Sequence, residues 1–216
     1  MQMGNQPKQY LVVQGRPILD YCLCTFQNHE MVDKIVIVAD KEWHGFIHDL
    51  LQKSGINKFV GYASPGETRQ LSILNGLEAI QELCPDTTGV VVHDAARPLV
   101  TADLISECIC GLHHYDGVMP VLPMKDTCYQ SSDGKTITGF IPRSELVLGQ
   151  APEAFRFPLY LECHYRITMD ELRKISGSSE LAFKAGLNIL MVQGSEQNIK
   201  ITTKDDLSLF CQYLCM

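Results

Sequence analysis

The chain has 216 residues, 45% of them hydrophobic, enough for one well-buried core but too few for two large domains. Its 18 Lys and Arg against 25 Asp and Glu, with a pI near 5.4, argue against a basic face for nucleic acid, whereas a small phosphorylated substrate needs only a few cations in a pocket. No apolar run approaches the roughly 20 residues of a membrane span, the polar start is not a signal peptide, and nine cysteines without a C-x-x-C pair read as free thiols in a reducing cytoplasm.

In chain order, Cys22-Leu-Cys24 lies in an apolar stretch that reads as helix. Ile35–Val38 is a buried strand. Lys41–Ser54 places Trp43, Phe46, Ile47, Leu50 and Leu51 at helical spacing and stops at Gly55. Phe59-Val60 is a short strand, and Gly66–Leu83 a helix with Leu71, Leu74, Leu77 and Ile80 on one face. Gly89–Val92 is a second buried strand, Thr101 caps a helix running through Leu112, and Val118–Leu122 is a further strand. Short apolar strands alternating with helices describe parallel crossover units with both sheet faces covered, so the fold class is α/β.

The rhythm changes at Met124. From there to Phe140 (MKDTCYQSSDGKTITGF) the pattern is strand, turn at Asp133-Gly134, strand. Such an arm has too little apolar surface to stand alone, and a second copy of the chain is the simplest partner for it. Helices near Leu159–Tyr165 and Ser179–Ala185, a strand at Asn188–Val192, a strand-like NIKIT (198–202) and a helix from Thr203 follow.

The strongest chemical signal is VVHDAARP (91–98). In an open α/β sheet, ligands bind beyond the carboxyl ends of the strands, which is where Asp94 and Arg97 fall. A carboxylate there can hold a hydroxyl or a metal–nucleotide complex, or it can merely pair with the arginine to tie down a loop. Ala95-Ala96 lets a flat base or a backbone approach closely. Lys8, Arg69, Lys125, Arg143 and Lys200 are dispersed cations at element boundaries. Lys200, flanked by Ile199 and Ile201 in an expected strand, calls for a neutralising anion, either a phosphate or a structural carboxylate. His44 and His48 have metal-ligand spacing without a third ligand and read as helix surface, and His113-His114 suits a helix C-terminus. Neither G-x-G-x-x-G nor G-x-x-x-x-G-K-[ST] occurs.

Several blocks in order, PKQYL (7–11), GRPIL (15–19), GETRQLSILNGL (66–77), VVHDAARPLV (91–100), KDT (125–127), GQAPEAF (149–155) and NIKITTKDDL (198–207), make the chain resemble the cytidylyltransferases of sugar-alcohol phosphates. These act on 2-C-methyl-D-erythritol 4-phosphate or on ribitol 5-phosphate. The resemblance implies a single Rossmann-like nucleotidyltransferase domain over residues 1–216, with a mostly parallel sheet, helices on both faces and a dimerisation arm at about 124–142. It also implies attack of the acceptor phosphate on the α-phosphorus of CTP, giving a CDP-polyol and pyrophosphate. Lys8 and Lys200 match the catalytic lysines. Gly66, Arg69, Ser72, Asp94 and Ala95 match the nucleotide side, and Asp94, Arg97, Thr127 and Arg143 the acceptor side. The cofactor implied is Mg²⁺ or another divalent cation held mainly by the CTP phosphates, and the partner a second subunit.

Two departures fall on the acceptor side. Gln150-Ala151-Pro152-Glu153 stands where the family has Gln-Thr-Pro-Gln, and Ser176-Gly177-Ser178-Ser179-Glu180 where it has a Thr-Asp-Asp/Glu stretch. CTP use is therefore better specified than the polyol. At the start, Met1 or Met3 takes the methionine's place in the family's A-G-G-x-G-x-R-M loop, so that its first strand and glycine loop are expected upstream of a misplaced or truncated start. The alternatives are an impaired member that keeps fold and dimer, or a nucleotidyltransferase with another nucleotide and sugar phosphate.

Overall fold

The computed structural model describes residues 6–215 together with the backbone of residues 2 and 3; Met1 and the side chain of Met3, assigned above to a loop methionine, lie outside the described residues. Helix α1 (Ile18–Asn28) buries Ile18, Leu19, Cys22, Leu23 and Phe26, the three- and four-residue spacing of a single face. Strands β1 (Ile35–Val38) and β2 (Phe59–Ala63) pair in parallel. The predicted helix between them is a 3₁₀ turn at Lys41–Trp43 running into α2 (His44–Lys53). Strand β2 continues three residues beyond the expected Phe59-Val60.

Helix α3 (Arg69–Leu83) starts later than the apolar spacing suggests. Thr68 is its N-cap, accepting from the Leu71 N–H, so Gly66 and Glu67 belong to a loop. Strand β3 (Gly89–Val92) follows, then α4 (Ala102–Gly111), capped by Thr101 as expected, and β4 (Gly117–Pro123). The segment after Met124 contains a hairpin, β5 (Cys128–Gln130) against β6 (Gly139–Ile141). Its turn is set by Asp133, whose Oδ1 accepts from the Lys135 and Thr136 N–H groups, and by Gly134 at φ +67°.

Two strands of the sheet around β4 lacked a readable pattern, β7 (Val147–Gly149) and β8 (Glu153–Arg156). They pair antiparallel with successive parts of β4, Gly149 opposite Val121 and Ala154 opposite Val118, and Gln150-Ala151-Pro152 separates them. Strand β8 also pairs with β3, placing Glu153 opposite Val92, while β9 (Ile189–Gln193) runs parallel to β4. Thus β3, β4 and β9 share a direction, with a short reversed strand between β3 and β4.

Alternation along β8 covers both faces with helices. Ala154 packs with Cys108 of α4 and with Val118, while Phe155 faces Leu74 and Leu77 of α3 and stacks at 3.9 Å on Tyr160 of α5 (Phe157–Arg166). Position 117 must be glycine, because a Cβ there would lie 2.7 Å from the Phe155 ring. The chain closes with α6 (Met169–Leu172), α7 (Ser178–Lys184) and α8 (Lys204–Tyr213), the last capped by Thr203.

The expected strand at 198–202 does not form, which corrects the placement of Lys200 within a strand. The segment is irregular. It is tied by the Ile201 N–H to the Ala96 carbonyl at 2.8 Å and by the buried Asn198, whose Nδ2 donates to Ala151 O at 2.7 Å. No described helix is long and apolar enough to cross a membrane.

Candidate active site

Asp94 is two residues past the end of β3, where the chain leaves the sheet. Three cations converge on its carboxylate: Lys200 Nζ at 2.9 Å, Arg69 Nη2 at 3.3 Å and Arg97 Nε at 3.6 Å. They arrive from the loop before α8, the first residue of α3 and the turn after β3. Burial opposes ionisation of Asp94, yet the charges of Arg69 and Lys200 outweigh it and bring its pKa from 3.8 to about 2. The anion that Lys200 required is therefore, in this structure, a carboxylate, and Asp94 holds the ammonium in place.

Around this cluster lies a cleft of about 570 Å³, lined by Arg69, Asp94, Arg97 and Lys200 and also by Glu153, Ser176, Ser179 and Glu180. Lys8 joins the group electrostatically. Burial and the neighbouring Lys200 charge lower its pKa, with Asp94 and Asp206 partly offsetting them. Two ammonium groups and two guanidinium groups around the Asp94 carboxylate suit this edge to an anionic ligand.

Gly66 lies in the loop before α3 and Ser72 in the first turn of the helix. Ser72 Oγ accepts from the Gly66 N–H at 3.0 Å and donates to Thr68 O at 2.9 Å. A Cβ on Gly66 would fall 2.3 Å from that of Leu71, so the loop closes this tightly only around glycine. Ala95 packs against the core formed by α1, α2 and β1, and it does not line the cleft. Thr127 and Arg143 are exposed, and neither lines the cleft; Arg143 Nη1 donates to Lys125 O at 2.7 Å, and Lys125 pairs with Glu196. The structure thus gathers Arg69, Asp94, Arg97 and Lys200 at the cleft, keeps Lys8 within electrostatic reach of Lys200 and Asp94, and leaves Gly66, Ser72 and the two arm residues off the cleft lining within one chain.

Residues that sequence reasoning did not assign hold the cluster. Arg97 Nη1 donates to Asn198 O at 2.6 Å. Gln150 exchanges hydrogen bonds with the Ser195 backbone, Nε2 to O at 2.9 Å and N–H to Oε1 at 3.1 Å. His93, lowered to about 4 by burial, places Nε2 at 3.0 Å from Arg97 O, so the neutral ring donates there and braces the turn. Glu153 meets Arg69 and Ser179. Only spatial proximity marks these residues; no spacing rule does. His44 is occupied elsewhere, its ring stacked on Tyr62 at 3.8 Å and its Nε2 3.1 Å from Ala39 O.

The family model described as 2-C-methyl-D-erythritol 4-phosphate cytidylyltransferase matches residues 1–215. A ribitol-5-phosphate cytidylyltransferase of Streptococcus agalactiae is 31% identical over 214 residues, 97% of this chain and 88% of that protein. A 2-C-methyl-D-erythritol 4-phosphate cytidylyltransferase of Clostridium botulinum is 35% identical over 208 residues, 96% of this chain and 89% of the relative. Among solved structures, the 4-diphosphocytidyl-2C-methyl-D-erythritol synthase of Anaerococcus prevotii superposes with a TM-score of 0.85 at 28% identity, covering 97% of this chain and 91% of that one.

Proposed function

Because the chain belongs to the 2-C-methyl-D-erythritol 4-phosphate cytidylyltransferase family, we propose that the cleft at Asp94 is where CTP and a polyol phosphate react. The protein is a nucleotidyltransferase that forms a CDP-polyol and pyrophosphate from CTP. The observation that carries the site assignment is the convergence of Lys200, Arg69 and Arg97 on one ionised carboxylate at the carboxyl end of β3.

In the reaction an acceptor phosphate oxygen bonds to the α-phosphorus of CTP as the bond to the pyrophosphate oxygen breaks. The protein's part is positioning and charge neutralisation. Asp94 aims the Lys200 ammonium at the α-phosphate, Lys8 takes the triphosphate, and the Gly66–Ser72 loop presents the nucleotide side. Asp94 is an ionised carboxylate within the cationic cluster. That donor set fits Mg²⁺ carried on CTP's own phosphates, with Asp94 as the protein oxygen that would face it. When bound, the cation neutralises charge on the departing pyrophosphate.

Thr127 and Arg143 reach an acceptor only if they serve a neighbouring subunit's cleft, so the reading includes a homodimer joined through residues 124–142. Support comes from the hairpin's exposed apolar side chains, Tyr129, Ile137 and Phe140, the last 61% exposed. Phe140→Asp is expected to shift the protein from dimer to monomer in sedimentation velocity; an unchanged distribution rejects the arm as the interface. A cytoplasmic setting accords with the nine free thiols.

The acceptor follows from one assay. With CTP and Mg²⁺, pyrophosphate release is expected with 2-C-methyl-D-erythritol 4-phosphate or with D-ribitol 5-phosphate, and release with neither rejects both. Replacing CTP by UTP, ATP or GTP should abolish it.

A further inference from the structure

Glu153 sits in the cleft wall with its side chain only 9% exposed, and both of its carboxylate oxygens are engaged. Oε2 accepts from the Ser179 N–H at 2.8 Å and from the Ser179 hydroxyl at 2.6 Å, at the start of α7. Oε1 lies 3.5 Å from Arg69 Nη2, the same nitrogen that contacts Asp94, while Arg69 Nη1 donates to Ser178 Oγ at 2.7 Å. The backbone explains the placement: β8 runs reversed beside β3, with Glu153 opposite Val92, so its side chain reaches the edge from which Asp94 projects.

We propose that Glu153 is a positioning residue for the acceptor: it fastens the α7 wall of the cleft (Ser176, Gly177, Ser179) to Arg69 and shares the Arg69 charge with Asp94. An ionised carboxylate accepts on both oxygens, and here both neighbours are donors. A glutamine in its place has one acceptor and two donors, so it satisfies the α7 side or the arginine side but not both. With Glu153 neutralised, Arg69 still has its contacts to Asp94 and Ser178, so the nucleotide side is kept. The link from Ser179 through Glu153 to Arg69 is lost, leaving the Arg69–Ser178 bond alone to hold the wall, and the acceptor geometry loosens, while Gly66 and Ser72 on the nucleotide side keep their own hydrogen bonds.

The inference rests on the acceptor reading above, and the test separates the two. In steady-state kinetics with CTP, Glu153→Gln is expected to raise the acceptor KM about tenfold and leave the CTP KM within about twofold. Ser179→Ala keeps the carboxylate and the Arg69 pair, protecting the fold, and should raise the acceptor KM about threefold with the CTP KM again unmoved. An acceptor KM unchanged in both variants, or both KM values rising together, overturns the proposal. Wild type that turns over neither polyol phosphate overturns the acceptor reading itself, and this proposal with it.

Discussion

Replacing Lys200 with alanine is expected to lower kcat by about 100- to 1,000-fold, the loss typical when one pre-positioned charge donor to a transition state is removed. Its ammonium is the cation nearest Asp94, and the side chain is 38% exposed, open to the cleft. The fold should survive the change. Asn198 and Ile201 on either side are fully buried and anchored to Ala151 and Ala96, and neither tie involves the lysine side chain. The melting temperature should therefore fall only modestly, by the share of the Asp94 pairing that Lys200 supplies. Lys200→Arg should recover little, because a planar guanidinium does not reproduce a compact ammonium at the same point. Single-turnover rates at saturating CTP and acceptor give the measurement, and a rate within tenfold of wild type removes Lys200 from the chemistry.

Replacing Asp94 with asparagine should affect both activity and stability. Arg69, Arg97 and Lys200 lose their shared counter-charge, and Lys200 loses the group that aims it, so a loss of about 100-fold or more in kcat/KM is expected. Stability follows from linkage. The folded pKa of about 2 lies below the ordinary 3.8, so between those values the unfolded chain binds the proton first. The ion pairs at Asp94 therefore contribute their full stability, about 2 kcal/mol, above pH 3.8 and lose it as pH falls through about 2. Urea unfolding from pH 6 to pH 2 should show Asp94→Asn less stable at the upper end, with the gap to wild type narrowing as the solution is acidified. A gap that stays constant with pH contradicts the charge assignment.

Both variants act on a site whose members were only partly legible in one dimension. Asp94 and Arg97 stood out because a buried run, Val90 to Val92, ends immediately before them. Thr101 and Thr203 marked helix starts because a hydroxyl three residues before an N–H is a local geometry. Most helices declared themselves through apolar spacing, α6 not among them, and the hairpin through Asp133-Gly134. Lys200 was singled out for a correct reason, a charge among isoleucines, but in the wrong element: the NIKIT pattern alternates as a strand should, and the structure supplies it one long-range backbone tie, Ile201 to Ala96, in place of a ladder.

Most helices, the fold class and the charged residues worth testing are determined by the sequence alone, because periodicity, caps and turns are interactions among residues within a few positions of one another. The reversed strand β8, the grip of Glu153 on Arg69 and Ser179, and the anchoring of Asn198 under Ala151 are decided only by the tertiary structure. Each joins groups separated by 26 to 84 positions in the chain. Pairings across such distances leave no spacing to read, since the geometry that makes them favourable exists only once the sheet has formed.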